Sequence, residues 1–205
     1  MKTLAILSRK GGVGKTLISL HLSVASQASG IETALIDLDP QASATGWAED
    51  RENDEPFVLP VHGARLSKTL TQLREQGAQL AIIDTAPNSE GSSLMAARAA
   101  DLVLIPCQPA ILDLKAIRNT VDIAKLAKVK AYAVLNRVPP KGSIIEDSKE
   151  AIAQYDLEVC PKMIGQRVAY SYSLISGMTA QEYEPNGQAA KEFSQFYKWV
   201  ENKLS

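Results

Sequence analysis

The chain has 205 residues, with 22 Lys and Arg against 23 Asp and Glu, and a formal net charge of −1 at pH 7. That length fits a single domain, 1–205, able to bury a core without metal or disulfide help. A charge this close to zero excludes a whole-molecule field for nucleic acid and leaves only a local or dimer-generated basic patch.

Met1-Lys2-Thr3 runs straight into an apolar segment, so no cleavable signal is expected ahead of it. No apolar run approaches the roughly 18 residues that span a bilayer. Cys107 and Cys160 lie far apart in apolar surroundings, so buried thiols and a reducing, cytoplasmic setting are expected rather than a disulfide or metal site.

Leu4-Ala5-Ile6-Leu7 reads as a buried strand, and Lys10-Gly11-Gly12-Val13-Gly14-Lys15-Thr16 follows it. A helical pattern then starts at Leu17, with Leu17, His21, Val24 and Ala28 in register, and Gly30 closes it. Strand, glycine-rich turn and helix N-terminus together make an anion cradle, because successive N–H groups and the helix dipole point to one place. The glycines let the backbone close around phosphates, Lys15 supplies a point charge, and the Thr16 hydroxyl can ligate Mg²⁺. The usual loop has a glycine five positions before Gly14; this chain has Arg9 there, followed by a second lysine, Lys10. His21 sits on the apolar face of the helix, where a packed, satisfied imidazole is expected rather than a catalytic one.

Thr33 to Gln41 reads as a buried parallel strand ending in two carboxylates, Asp37 and Asp39, at the sheet edge where ligands of doubly wound folds bind. The two are expected to point differently, one of them facing a phosphate oxygen or water. Trp47 to Val61 carries five acids and is expected as a surface excursion with one short strand, Phe57-Val58-Leu59. Leu66, Leu70 and Leu73 mark a helix ending near Gly77. A second buried strand, from Gln79, ends in Asp84-Thr85-Ala86-Pro87, where an acid can hold the Mg²⁺ shell through water.

A further strand is expected to end at Pro106 and a helix to begin at Asp113 as N-cap, with Leu114, Ile117, Val121 and Ala124 on one face. Ala131 to Leu135 reads as a strand ending in Asn136-Arg137, and an amide there has the donor and acceptor to pair with adenine, although Asn before Arg-Val-Pro-Pro is also ordinary turn chemistry. Glu146 to Tyr155 suggests a helix and Cys160 to Ile164 a last short strand. In the final helix, Gln188 to Leu204, the stripe of Ala190, Phe193, Tyr197, Val200 and Leu204 faces a core, since the polar face lacks the lysine and arginine of a membrane anchor. Strands and helices alternate, giving an α/β fold: a mainly parallel, doubly wound sheet with helices on both faces.

The loop Lys-Gly-Gly-x-Gly-Lys-Thr, the Asp37-x-Asp39-Pro-Gln stretch and Asp84-Thr-x-Pro, in that order, resemble the deviant Walker A ATPases of the ParA/MinD superfamily. The likeness covers nearly the whole chain, firmly over 1–110. It implies an ATPase with ATP/ADP and Mg²⁺ as ligands, cradled by Lys10 through Leu17, in which Lys10 reaches across a homodimer to the partner's nucleotide. It ties Asp39 to the attacking water, places Asp37 nearer the Mg²⁺ shell with Thr16 and Asp84, and has Asn136 and Arg137 near adenine. The segment Gln166 to Gly177 resembles the family's stretch near the base and dimer edge. With no helix-turn-helix domain expected ahead of the loop, the chain is similar to small plasmid-partition ParA proteins. That implies an ATP-state dimer that binds DNA non-specifically at the nucleoid, a centromere-binding ParB-type adaptor that stimulates hydrolysis, and no membrane partner. Arg167, Lys191 and Lys198 are the candidate DNA contacts. A MinD-like membrane-associated regulator is the rival reading.

Overall fold

The computed structural model describes residues 1–205, apart from the side chains of Ile111, Leu112 and Lys115. Seven parallel strands form one sheet: β1 (Lys2–Ile6), β2 (Thr33–Asp37), β3 (Phe57–Pro60), β4 (Leu80–Asp84), β5 (Leu102–Cys107), β6 (Lys130–Leu135) and β7 (Glu158–Val159), in the order β3-β2-β4-β1-β5-β6-β7. The helices are α1 (Lys15–Ala28), α2 (Ser43–Glu49), α3 (Leu66–Glu75), α4 (Glu90–Ala99), α5 (Ile111–Ala127), α6 (Ile144–Ala153), α7 (Val168–Ile175), α8 (Ala180–Tyr183) and α9 (Gln188–Leu204).

The central strands are apolar on both faces because both are covered. Leu4 and Ile6 of β1 join the layer that holds Ile18, Leu22, Phe193 and Phe196 from α1 and α9. Ala5 and Leu7 join the layer that holds Leu70, Ile117, Val121 and Ile152 from α3, α5 and α6. The apolar stripe of α9 is therefore spent in the core, and Cys107 and Cys160 are buried free thiols.

Four expectations shift. The stretch around Trp47 contains α2, whose seven residues bury only Ala44 and Trp47 and so show no helical period. Strand β2 stops at Asp37 and leaves Asp39 in the following turn. In a strand, residues i and i+2 share a face; Asp37 and Asp39 diverge because the strand has ended. The last strand is β7, before Cys160, and Cys160 to Ile164 runs beside β6 as irregular chain. There the Cys160 and Ile164 N–H groups donate to the Ala133 and Leu135 carbonyls, at 2.8 and 3.0 Å, while Pro161 between them has no N–H to offer. Helix α5 begins at Ile111, which puts Asp113 inside its first turn rather than at the cap.

Candidate nucleotide-binding site

The carboxyl ends of β1, β2 and β4 meet where α1 begins, and the register sets Ile6, Asp37 and Asp84 side by side. Helix α1 has no side-chain cap at its N-terminus; Gly14, at φ 98°, takes the left-handed turn into it. First-turn N–H groups left without a cap are what an anion satisfies.

Lys15 is buried, and its Nζ lies 3.3 Å from the Lys10 carbonyl, folded back over the loop. Burial lowers its pKa, and the nearby carboxylates of Asp84 and Asp39 oppose that shift. Asp84 is fully buried. The Ser19 hydroxyl, one helical turn after Lys15, lies 3.3 Å from Asp84 Oδ1, while Asp84 Oδ2 has no partner. Burial, with Asp37 adding to it, raises the Asp84 pKa to about 7 against hydrogen bonds from Thr16 and Ser19 and the charge of Lys15. A buried carboxylate with one oxygen unpartnered, beside Thr16 and an open helix end, fits a hydrated Mg²⁺. Among the described residues no three His, Cys, Asp or Glu side chains converge. The residues present thus suit an ion held by Thr16, by Asp84 through water, and by phosphate oxygens. Mg²⁺ bound there would neutralise charge developing on the phosphates.

Asp37 has other work than the metal shell expected of it. Its Oδ1 accepts the Asp39 N–H at 3.0 Å, and Oδ2 accepts the Ala44 N–H, the Thr45 N–H and the Thr45 hydroxyl, each at 3.1 Å. It caps α2 and shapes the turn that carries Asp39. Asp39 Oδ1 accepts the Gln41 N–H at 3.0 Å, and the residue lines a groove of about 680 Å³ with His62, Pro87 and Ser92.

Lys10 is 41% exposed on the loop's rim and pairs with Asp113 of its own chain. Gly11 lies against Pro87, and the Gly12 carbonyl accepts from Gln108 Nε2 at 3.0 Å. Val13 is buried; Leu17 is half-buried and its carbonyl meets His21. Asn136 is tied to the loop: its Nδ2 donates to the Val13 carbonyl at 2.7 Å and its Oδ1 accepts the Arg137 N–H at 2.8 Å. Arg137 is exposed beside it, at φ 53°. Arg167 is not a free cation either, since its Nη2 lies 2.6 Å from Glu192, whose carboxylate also accepts the Gly165 N–H. Lys191 and Lys198 are exposed on α9, two turns apart.

Ser19, Gln108 and the pairing of Asp113 with Lys10 escape the sequence reading. Only Ser19 carries a signal there, its place four residues after Lys15 on the same helix face.

The fold and this loop define a P-loop nucleotide-binding protein. The family description "CobQ/CobB/MinD/ParA nucleotide binding domain" matches residues 4–180, and the chain belongs to that family. Maintenance of carboxysome distribution protein A of Gloeobacter kilaueensis is 31% identical over 99% of this chain and 94% of its own length. Protein IncC of Escherichia coli is 26% identical over 100% of this chain and 70% of its own. Among solved structures, a Cyanothece McdA variant in complex with ATP superposes with TM-score 0.77 at 21% identity, covering 100% and 96% of the two chains. MinD of Pyrococcus horikoshii with Mg-ADP superposes with TM-score 0.78 at 18% identity, covering 97% and 95%. The chain is a nucleotide-binding ATPase of this family, and the two solved structures hold Mg-ADP and ATP.

Proposed function

We propose that the chain is an ATP-dependent dimerising switch of DNA partition, binding DNA without sequence preference in its ATP state and released by hydrolysis when an adaptor of the ParB type engages it. The observation that carries this reading is the pair of lysines on one loop. Lys15 is folded inward over the phosphate cradle, while Lys10 stands on the rim, where a second copy could present its own nucleotide. A water oriented by Asp39 attacks the terminal phosphate, whose charge Lys15 and the partner subunit's loop balance. Helix α7 supports an interface on this molecule, because Val168, Tyr172 and Ile175 form one stripe that is 74, 57 and 79% exposed. The likeness to a virulence plasmid ParA family protein of Chlamydia psittaci supports plasmid cargo. The likeness to the Gloeobacter protein favours a second reading, in which the same switch distributes a protein assembly. A MinD-like membrane role has less support: the apolar stripe of α9 is buried, and among the described residues no helix is long and apolar enough to cross a membrane.

The test is binding to random-sequence duplex DNA with ATP, ADP or no nucleotide across a salt series, with Lys15→Ala as control. Binding that requires ATP and weakens steeply with salt supports the switch. Lys191→Ala and Lys198→Ala would each then lower the salt slope by about one. ATP-driven dimers that bind no DNA in any state would remove the partition reading and turn attention to anionic vesicles.

A further inference from the structure

The loop that holds the phosphates is itself held from a distant strand. Asn136 stands at the carboxyl end of β6, two strands away from β1, and its side chain meets the loop that follows β1. It is 1% exposed, and every polar group of its amide that the structure pairs is paired within the chain: Nδ2 with the Val13 carbonyl and Oδ1 with the Arg137 N–H. Its backbone N–H is fixed as well, donating to the Cys107 carbonyl at 2.9 Å. The fit at Gly14 is the second observation. A β-carbon built there would overlap Asn136 Nδ2, with Cγ at 3.3 Å, so the amide fills the space that the glycine leaves. Gly14 is therefore required twice, by its φ of 98° and by this side chain.

We propose that Asn136 is a positioning residue of the phosphate loop, which fixes the Val13–Gly14 peptide so that the N–H groups of the loop and of α1 converge, and that it acts on the phosphates through the loop. The physical reason lies in the buried bond itself: one amide N–H satisfies the Val13 carbonyl and Oδ1 takes the Arg137 N–H, so removing the amide leaves a buried loop carbonyl unpaired and the loop untethered. Because the loop's conformation sets the geometry of every phosphate contact, losing the brace weakens any ligand that carries the phosphate chain, whatever is attached to it.

The inference rests on nucleotide binding at the loop, and the wild-type protein tests that separately, since wild type that binds neither ADP nor inorganic tripolyphosphate would remove the site itself. Calorimetric titration of Asn136→Ala with Mg²⁺ and ADP, and with Mg²⁺ and sodium tripolyphosphate, tests the brace. Both affinities should fall by a similar factor of about ten, the worth of one buried hydrogen bond. A loss for ADP with the tripolyphosphate unaffected would make Asn136 a base reader and overturn the proposal, as would no loss for either. Should Asn136→Ala not fold, Asn136→Asp keeps the shape and the acceptor for Arg137, removes the donor to Val13 and adds a negative charge, so it is read without any phosphate ligand. In the ligand-free state its amides over residues 10–16 should exchange with solvent faster than wild type while those of β6 and α9 stay unchanged. Exchange at the loop equal to wild type would also overturn the proposal.

Discussion

Two helices begin near one another in this molecule, and they begin in opposite ways. Helix α8 is closed at its start: the Glu182 N–H donates to the Thr179 carbonyl at 3.1 Å, Glu182 Oε2 accepts the Thr179 N–H and hydroxyl at 2.7 and 2.9 Å, and the Ala180 N–H donates to His21 Nε2 at 3.0 Å. Helix α1 starts on Gly14 with no side-chain cap, beside Asp84 with an unpartnered oxygen. His21 and Asp84 are both fully buried, yet the first has both ring nitrogens engaged and lies against Phe193 at 4.9 Å, while the second is short of a cation. At His21 the chain satisfies its own polar groups, whereas Asp84 Oδ2 and the first turn of α1 are groups that a cation and a phosphate can satisfy.

Variants can sharpen that contrast. Lys15→Ala should weaken ATP binding by about 100-fold, the worth of charge-assisted phosphate contacts, with little effect on thermal unfolding, and isothermal titration checks it. His21→Ala should do the reverse, destabilising the fold by about 3 kcal/mol in denaturant titration with nucleotide affinity unchanged, because it empties a packed site and orphans the Ala180 N–H. An ATP affinity that falls with His21 would break the division between the two regions.

The two buried groups also differ in the sign of their pH dependence. Burial holds the His21 pKa at about 4, below its ordinary 6.5, so between these values the unfolded chain binds more protons and stability is lost as pH falls from 6.5 to 4. Asp84, raised to about 7 from 3.8, keeps its proton when folded and loses it when unfolded, so its contribution declines as pH rises through that window. Asp84→Asn should remove the second slope and stabilise the ligand-free protein by about 2 kcal/mol at pH 8, while Mg²⁺-dependent hydrolysis disappears. A variant that is neither more stable nor less active would show that Asp84 is an ordinary core acid.

What was legible beforehand follows from the range of each interaction. The central strands show in the sequence as unbroken apolar runs because both faces are covered, α1 and α9 show because burial repeats along a helix, and the loop shows because its glycines and lysines act on consecutive atoms. The short helix around Trp47 is too brief to repeat. The partners of Asn136 and Arg167 lie 123 and 25 residues away in the chain, so nothing local distinguishes a brace or an ion pair from a free amide or cation. The capping role of Asp37 was hidden for a related reason, since its place at a strand end is legible but the helix it caps is not.

Lys10 belongs to neither side of the contrast, which makes it the last and smallest test. It sits at the open loop, yet it is satisfied, by Asp113, whose carboxylate is buried. To reach a nucleotide on another copy it must leave that carboxylate, so the pair opposes the dimer by whatever it contributes to the single chain. An ion pair with one half-exposed partner contributes little, on the order of 1 kcal/mol or less. Lys10→Ala should therefore leave the affinity of the single chain for ADP nearly unchanged and weaken ATP-dependent dimerisation. Asp113→Asn should free the lysine and strengthen dimerisation by a few-fold. Sedimentation of both variants with ATP and with ADP measures the two effects. If Lys10→Ala dimerises as wild type does, the lysine serves only its own loop, and the rim of the cradle is as self-contained as the start of α8.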